Sequence, residues 1–164
     1  MKNAQIHTKL ADFGRELLYK TSLAEGLPLV SKYAKEIIGA DRCSMFIYNP
    51  DKNEFWTTLA DGVDRIVISA DKGIVGETLR TKKPILENAV HSNPYFMGDL
   101  DKITGYTTKN VITAPIFDYK KEVGGVLELL NKEGGFQESD LKYMKFFAQY
   151  VGEFIELINL HETK

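Results

Sequence analysis

Glu128 is the residue in this sequence that most needs a chemical explanation. It lies in Gly124-Gly125-Val126-Leu127-Glu128-Leu129-Leu130, a run otherwise apolar at every position. An ionised carboxylate in such surroundings must be paired or hydrogen-bonded, because burying it alone is too costly. Its partner is either a donor on a ligand or a structural group, such as a lysine or backbone amides, and residue type leaves both open. Polar counterparts occur upstream in Asp99, Asp101, Thr104, Thr107, Thr108 and Asn110, which are also good turn and helix-cap residues. Gly73-Ile74-Val75-Gly76 reads as a helix start that offers backbone amides to an anion, or as a tight strand-to-helix turn.

Other chemistry is poorly supplied. The three histidines, His7, His91 and His161, include no close pair, so a metal site is not expected. For His91, a surface or capping role is the ordinary reading and a haem ligand the remote one. The single cysteine, Cys43, sits in an apolar strand pattern and reads as a buried structural thiol. It excludes an internal disulfide. There is no Gly-x-Ser-x-Gly elbow and no P-loop. No catalytic constellation is visible, and the expectation is a protein that is not an enzyme.

The scaffold that must position these groups is a single domain. The chain has 164 residues, 43% apolar and 27% charged, with a formal net charge of −2. That near-neutral balance argues against attraction to nucleic acid polymers or anionic membranes. No apolar run is long enough to span a bilayer, and the first residues lack a signal-peptide core. The expected setting is cytoplasmic.

Periodicity places the elements. Ile6, Leu10, Phe13 and Leu17 step by 4, 3 and 4 along a helix over residues 3–20. A second helix is predicted from about residue 27 to 38, with Pro28 in its first turn and Gly39 as its stop. The period then changes to strands over 43–48, 54–59 and 65–68, and a short helix over 73–81. Residues 87–108 show no period yet hold Tyr95, Phe96, Met97, Leu100, Ile103 and Tyr106, the composition of a packed lid. Strands follow over 111–118 and 123–130. A final helix runs over 138–159, where Leu141, Met144, Ala148, Val151, Ile155 and Ile158 step 3, 4, 3, 4, 3. The order predicts an α+β fold: a largely antiparallel sheet with the terminal helices packed on one face and a lid of short helices and loops on the other. The domain is expected over residues 23–164, behind a linker or dimerisation helix over 1–22.

Several of these segments resemble one known family. Asn131-Lys132, Phe136 and Asp140 are similar to the Asn-Lys…Phe…Asp signature of GAF domains, most of all those of cyclic-nucleotide phosphodiesterases. Asp71-Lys72-Gly73-Ile74-Val75-Gly76 resembles the family's segment before its pocket helix, and the run from Thr104 to Ile116 its lid-to-strand junction. The likeness covers roughly residues 25–160.

The resemblance implies a regulatory domain of a signalling protein that binds a small ligand, such as cGMP or cAMP, between sheet and lid, with no covalent cofactor. Carried across by motif, Ser44 and Asp61 would approach the base and the amides of Ile74 and Val75 the phosphate. Asp101, Thr104 and Thr108 would line the lid, and Glu128 would close the pocket. Asn131, Lys132, Phe136 and Asp140 read as fold residues, with a Lys132–Asp140 salt bridge pinning the last strand to the last helix. The chain departs from the pattern at Ala60, where nucleotide-binding members often place an aromatic that stacks on the purine. Such stacking contributes on the order of 1–3 kcal/mol. The resemblance further implies a homodimer through the terminal helices and an effector outside this chain. The competing reading is a structural dimerisation module with an empty or degenerate pocket. The family's methionine sulfoxide reductases use several cysteines and its bilin-binding photoreceptors a lid cysteine, and this chain has neither.

Overall fold

The computed structural model describes residues 2–60, 65–98, 101–102 and 105–162. Helices α1 (Asn3–Leu18) and α2 (Leu23–Ile38) open the chain. Strands β1 (Ala40–Asn49), β2 (Glu54–Ala60) and β3 (Val67–Ser69) follow. Helix α3 (Gly73–Thr81) leads into β4 (Ile85–Glu87) and a 3-10 turn over Val90–Ser92. Strands β5 (Val111–Phe117) and β6 (Val123–Lys132) then precede the long helix α4 (Glu138–Glu162).

The six strands form one sheet in the order β3-β2-β1-β6-β5-β4, with every neighbouring pair antiparallel. The fold is α+β, with the terminal helices on one face and the lid on the other. The long central pair extends beyond its predicted bounds, because Ala40 pairs with Lys132 and Arg42 with Leu130. At the other end Gly125 lies opposite Ile47, where a Cβ would come within 2.5 Å of the Phe46 carbonyl oxygen. Only glycine lets these two backbones approach so closely.

Two elements differ from expectation. Helix α2 begins at Leu23, four residues before the predicted start, because Ser22 caps it: the Glu25 amide donates to the Ser22 hydroxyl at 3.3 Å. Glu25 in turn accepts from the Thr21 amide at 3.5 Å. Ser22-x-x-Glu25 has the spacing of a capping box, so Pro28 falls inside the helix and not in its first turn. Strand β4 carries no readable sequence period because it is three residues long. Its pairing with β5, from Ile85 opposite Thr113 to Glu87 opposite Val111, is what makes it a strand.

Alternation along the central strands sorts the side chains. Cys43, Met45, Ile112, Ala114, Leu127 and Leu129 face the helices and join one large apolar core. Helix α1 shares it through Phe13, which is fully buried among the rings of Tyr33, Phe146, Phe147 and Tyr150 at centroid distances of 5.1–6.3 Å. Ser44, Phe46, Val111, Thr113, Val126 and Glu128 occupy the opposite parity and face α3 and the lid. Apolar packing on that side breaks into two smaller clusters, one around Phe46, Phe55 and Val75 and one around Ile74, Val90 and Val111.

Candidate functional site

Between those two clusters lies a cavity of about 280 Å³. Its walls combine strand residues (Phe46, Val111, Leu130), the region of β3 (Ile66, Val67, Ile68), the start of α3 (Gly73, Ile74, Val75) and the lid (Phe96, Met97). The polar lining among the described residues is Glu128, Asp101 and Thr108. Helix α3 opens onto this space without a side-chain cap on its first turn. Gly73, its first residue, has φ +78°, a left-handed conformation that L side chains adopt only with strain.

Glu128 sits on β6 directly opposite Ser44 of β1 and Thr113 of β5. Both neighbours are buried. The Thr113 hydroxyl is already engaged, sharing a hydrogen bond with the Thr78 hydroxyl at 2.7 Å and accepting from the Ile85 amide at 3.3 Å. The half-buried Glu128 carboxylate has no hydrogen-bond partner among the described residues. Loss of solvent, and secondarily the negative charge of Asp101, push its pKa from 4.5 up to about 7. Of the two kinds of partner the sequence leaves open for this carboxylate, the structural one, a lysine or lid amides, is not met within the described residues.

Asp101 is held by Thr108, on the segment that leads from the lid into β5. Its two oxygens accept from the Thr108 amide at 2.7 Å and the Thr108 hydroxyl at 2.8 Å. A second fastening holds the end of the lid to β6. Asn131, itself at φ +60°, accepts from the Lys109 amide at 2.7 Å and donates to the Thr107 carbonyl at 2.8 Å. It also donates to the Tyr106 hydroxyl at 2.9 Å, which donates in turn to Asp41 at 2.7 Å. The Arg42 guanidinium covers the Tyr106 ring at 3.7 Å. Burial and the Asp41 carboxylate raise the Tyr106 pKa to about 12, so its phenol stays protonated as a donor.

The sequence-derived residues are distributed as follows. Ile74, Val75, Asp101, Thr108 and Glu128 line the one cavity, and Ser44 lies beside it, across the ladder from Glu128. Asp61 and Thr104 lie outside the described residues. Lys132 Nζ is 2.8 Å from Asp140, which also accepts from the Gln137 amide at 2.8 Å at the start of α4. Phe136 is 3% exposed, and its backbone exchanges two hydrogen bonds with the side chain of Asn88. Sequence reading assigned no cavity role to Phe46, Ile66, Val67, Ile68, Val111 or Leu130. The parity of Glu128 along the paired strands is the signal that marks Phe46, Val111 and Leu130, since all face the same side. Among the described residues no three His, Cys, Asp or Glu cluster to hold a metal ion. Likewise no helix there is long and apolar enough to cross a membrane.

Comparison with known proteins identifies the architecture. A protein-family model, GAF domain, matches residues 22–155. A probable 3′,5′-cyclic phosphodiesterase, pde-5 of Caenorhabditis elegans, is 27% identical over 180 residues, covering 99% of this chain and 24% of that protein. This chain thus spans about a quarter of that relative's length. The GAF domain of a phosphoenolpyruvate-protein phosphotransferase from Coxiella burnetii superposes with a TM-score of 0.86 at 18% identity, over 99% of this chain and 100% of that one. Free methionine-R-sulfoxide reductase from Neisseria meningitidis, solved with its substrate, superposes with a TM-score of 0.82 at 17% identity, over 96% and 92% of the two chains. At these identities the two structures share the fold with this chain, and the second shows that the fold also serves enzymes.

Proposed function

This chain belongs to the GAF domain family, small-molecule-binding regulatory and sensor domains, and we propose that its own ligand binds between the sheet and the lid over residues 87–108. The observation that carries the reading is the cavity of about 280 Å³ with Glu128 on its wall and no protein partner for that carboxylate among the described residues. Cyclic nucleotides, cGMP or cAMP, are the first ligands to consider, because the C. elegans relative is named as a cyclic phosphodiesterase. In this reading Ser44 and Asp61 approach the base, Asp101, Thr104 and Thr108 line the lid, and Glu128 closes the pocket. The uncapped amides of Ile74 and Val75 then take the phosphate.

Ligand binding fixes the lid, and the Asn131 fastening passes the change to β6 and, through Lys132 and Asp140, to α4. The output is a shift of α4 against α1 in a cytoplasmic homodimer, read by an effector outside this sequence. Leu18, Leu157 and Leu160 support the dimer, being 79%, 61% and 71% exposed on the terminal helices. Residues 1–22 are then the linker and dimerisation helix of a sensor domain over 23–164.

Thermal unfolding against cyclic nucleotides, cyclic dinucleotides, amino acids and 2-oxo acids tests this. A ligand at 100 times its dissociation constant adds about 2.7 kcal/mol, a shift of several degrees for a domain of this size. The same ligand should slow proteolysis within 87–108. A flat panel with unchanged proteolysis favours the structural dimerisation module.

A further inference from the structure

Resting on the sensor reading, we propose that Thr78 and Thr113 are positioning residues for the ligand's phosphate: from outside the cavity they hold the Ile74–Val75 peptide so that the Val75 amide points into it. Neither residue lines the cavity. They are the two polar residues with 0% exposure among those described, one inside α3 and one on β5. Their hydrogen bonds run in one direction. A hydroxyl has a single hydrogen to give. Thr78 donates its own to the Ile74 carbonyl at 2.8 Å, so in the 2.7 Å contact between the two hydroxyls Thr113 is the donor. The Thr113 oxygen in turn accepts from the Ile85 amide of β4 at 3.3 Å. The chain of bonds therefore starts on the backbone of the edge strand and ends on the first turn of α3.

The carbonyl at the end of that chain belongs to the peptide unit that carries the Val75 N–H. The unit is trans, so its N–H is opposed to its carbonyl. With the carbonyl drawn back toward Thr78, the N–H is turned toward the cavity, whose wall includes Val75. Val75 lies in the first turn, where the helix supplies no acceptor for its own amides. Hydrogen bonds in series polarise one another, which strengthens this amide as a donor to an anion. The same contact ties α3 to the sheet at Thr113, directly opposite Glu128 in the ladder. It thereby sets the donor amide and the carboxylate at a fixed separation. Two valines would fill the space between α3 and β5 equally well, and what the hydroxyls add is direction.

Thr78→Val removes the link and keeps the shape, whereas Thr78→Ser keeps the hydroxyl. Calorimetry on the intact chain compares cGMP and cAMP with guanosine and adenosine, which lack the phosphate. Thr78→Val should weaken the cyclic nucleotide about fivefold, the scale of one hydrogen bond, and leave its nucleoside unchanged. Thr78→Ser should restore the affinity. Equal weakening of nucleotide and nucleoside would mean a merely structural role and overturns the inference. Melting points establish that the variants are folded, and if Thr78→Val is not, Thr113→Val cuts the same chain one link earlier with the same expectation. Inorganic phosphate, followed through the Val75 amide resonance by NMR, repeats the test without a base. Phosphate should move that resonance in the wild type and do so with a several-fold weaker midpoint in Thr78→Val. If a ligand binds in the cavity while the Val75 resonance stays still, or responds equally in both proteins, the inference is overturned and the sensor reading stands. If neither phosphate nor the nucleotides nor any member of the broader panel binds, both fall together.

Discussion

The two faces of the sheet are built on opposite principles. The helix face buries Phe13, Met144, Phe147, Val151, Leu127 and Leu129 in one continuous core, each 0% exposed. The lid face holds two small clusters with a cavity between them and an ionisable carboxylate on the cavity wall. Close packing and binding space exclude one another, because a cavity gives up the dispersion contacts that filled space would supply. The comparison teaches that close packing is concentrated on the helix face, which leaves the lid face free to carry polar groups around a cavity.

The largest test of that division is truncation on each side. Phe147→Ala, in contact with Phe13 and Phe146, should cost about 3–5 kcal/mol of unfolding free energy, measured by denaturant melts. Phe96→Ala on the half-buried lid side should cost less than half as much. Equal costs would break the comparison.

A middle-sized effect belongs to pH. The folded chain holds the Glu128 proton up to about 7, whereas the unfolded chain releases it near 4.5. Between those values the folded state binds more protons, so stability is highest below the lower value and declines as pH rises through the upper one. At about 1.4 kcal/mol per pH unit of separation, the decline is at most about 3–4 kcal/mol. Glu128→Gln should remove this slope and be the more stable protein at pH 8, as judged from unfolding curves across the range from 4.5 to above 7. A wild-type slope that survives the substitution would place the titrating group elsewhere.

The smallest effect concerns the lid's fastening. Tyr106→Phe deletes the hydroxyl that bridges Asn131 and Asp41. The expected loss is about 1 kcal/mol, and it should appear as faster amide exchange at Thr107 and Thr108 with α4 unaffected. Faster exchange in α4 as well would mean that the lid and the helix face open as one unit.

Much of this organisation was legible because local physics wrote it into the chain. The seam of Ile6, Phe13 and Leu17 and the heptad steps of α4 are burial patterns, and burial is what the helix face does with them. Glu128 was legible for the inverse reason, as a charge where every neighbour is apolar. The Ser22-x-x-Glu25 cap was equally local, and the emphasis on Pro28 as a helix start hid it. Strand β4 was not legible, since three residues become a strand only when β5 pairs with them. The role of Asp101 was not legible either, because its bonds to Thr108 depend on how the lid turns back toward β5.

The sequence by itself determined which segments bury a face and which residue types are available to a site, because periodicity and side-chain chemistry are properties of neighbours along the chain. Tertiary structure alone decided which polar groups meet. The order β3-β2-β1-β6-β5-β4 sets Ser44 and Thr113 on either side of Glu128, from positions 84 and 15 residues away. It also decided that Glu128 faces a cavity without a protein partner among the described residues, while Asp101 finds one in Thr108. Those outcomes follow from strand register and lid packing, which are long-range constraints that no local pattern encodes.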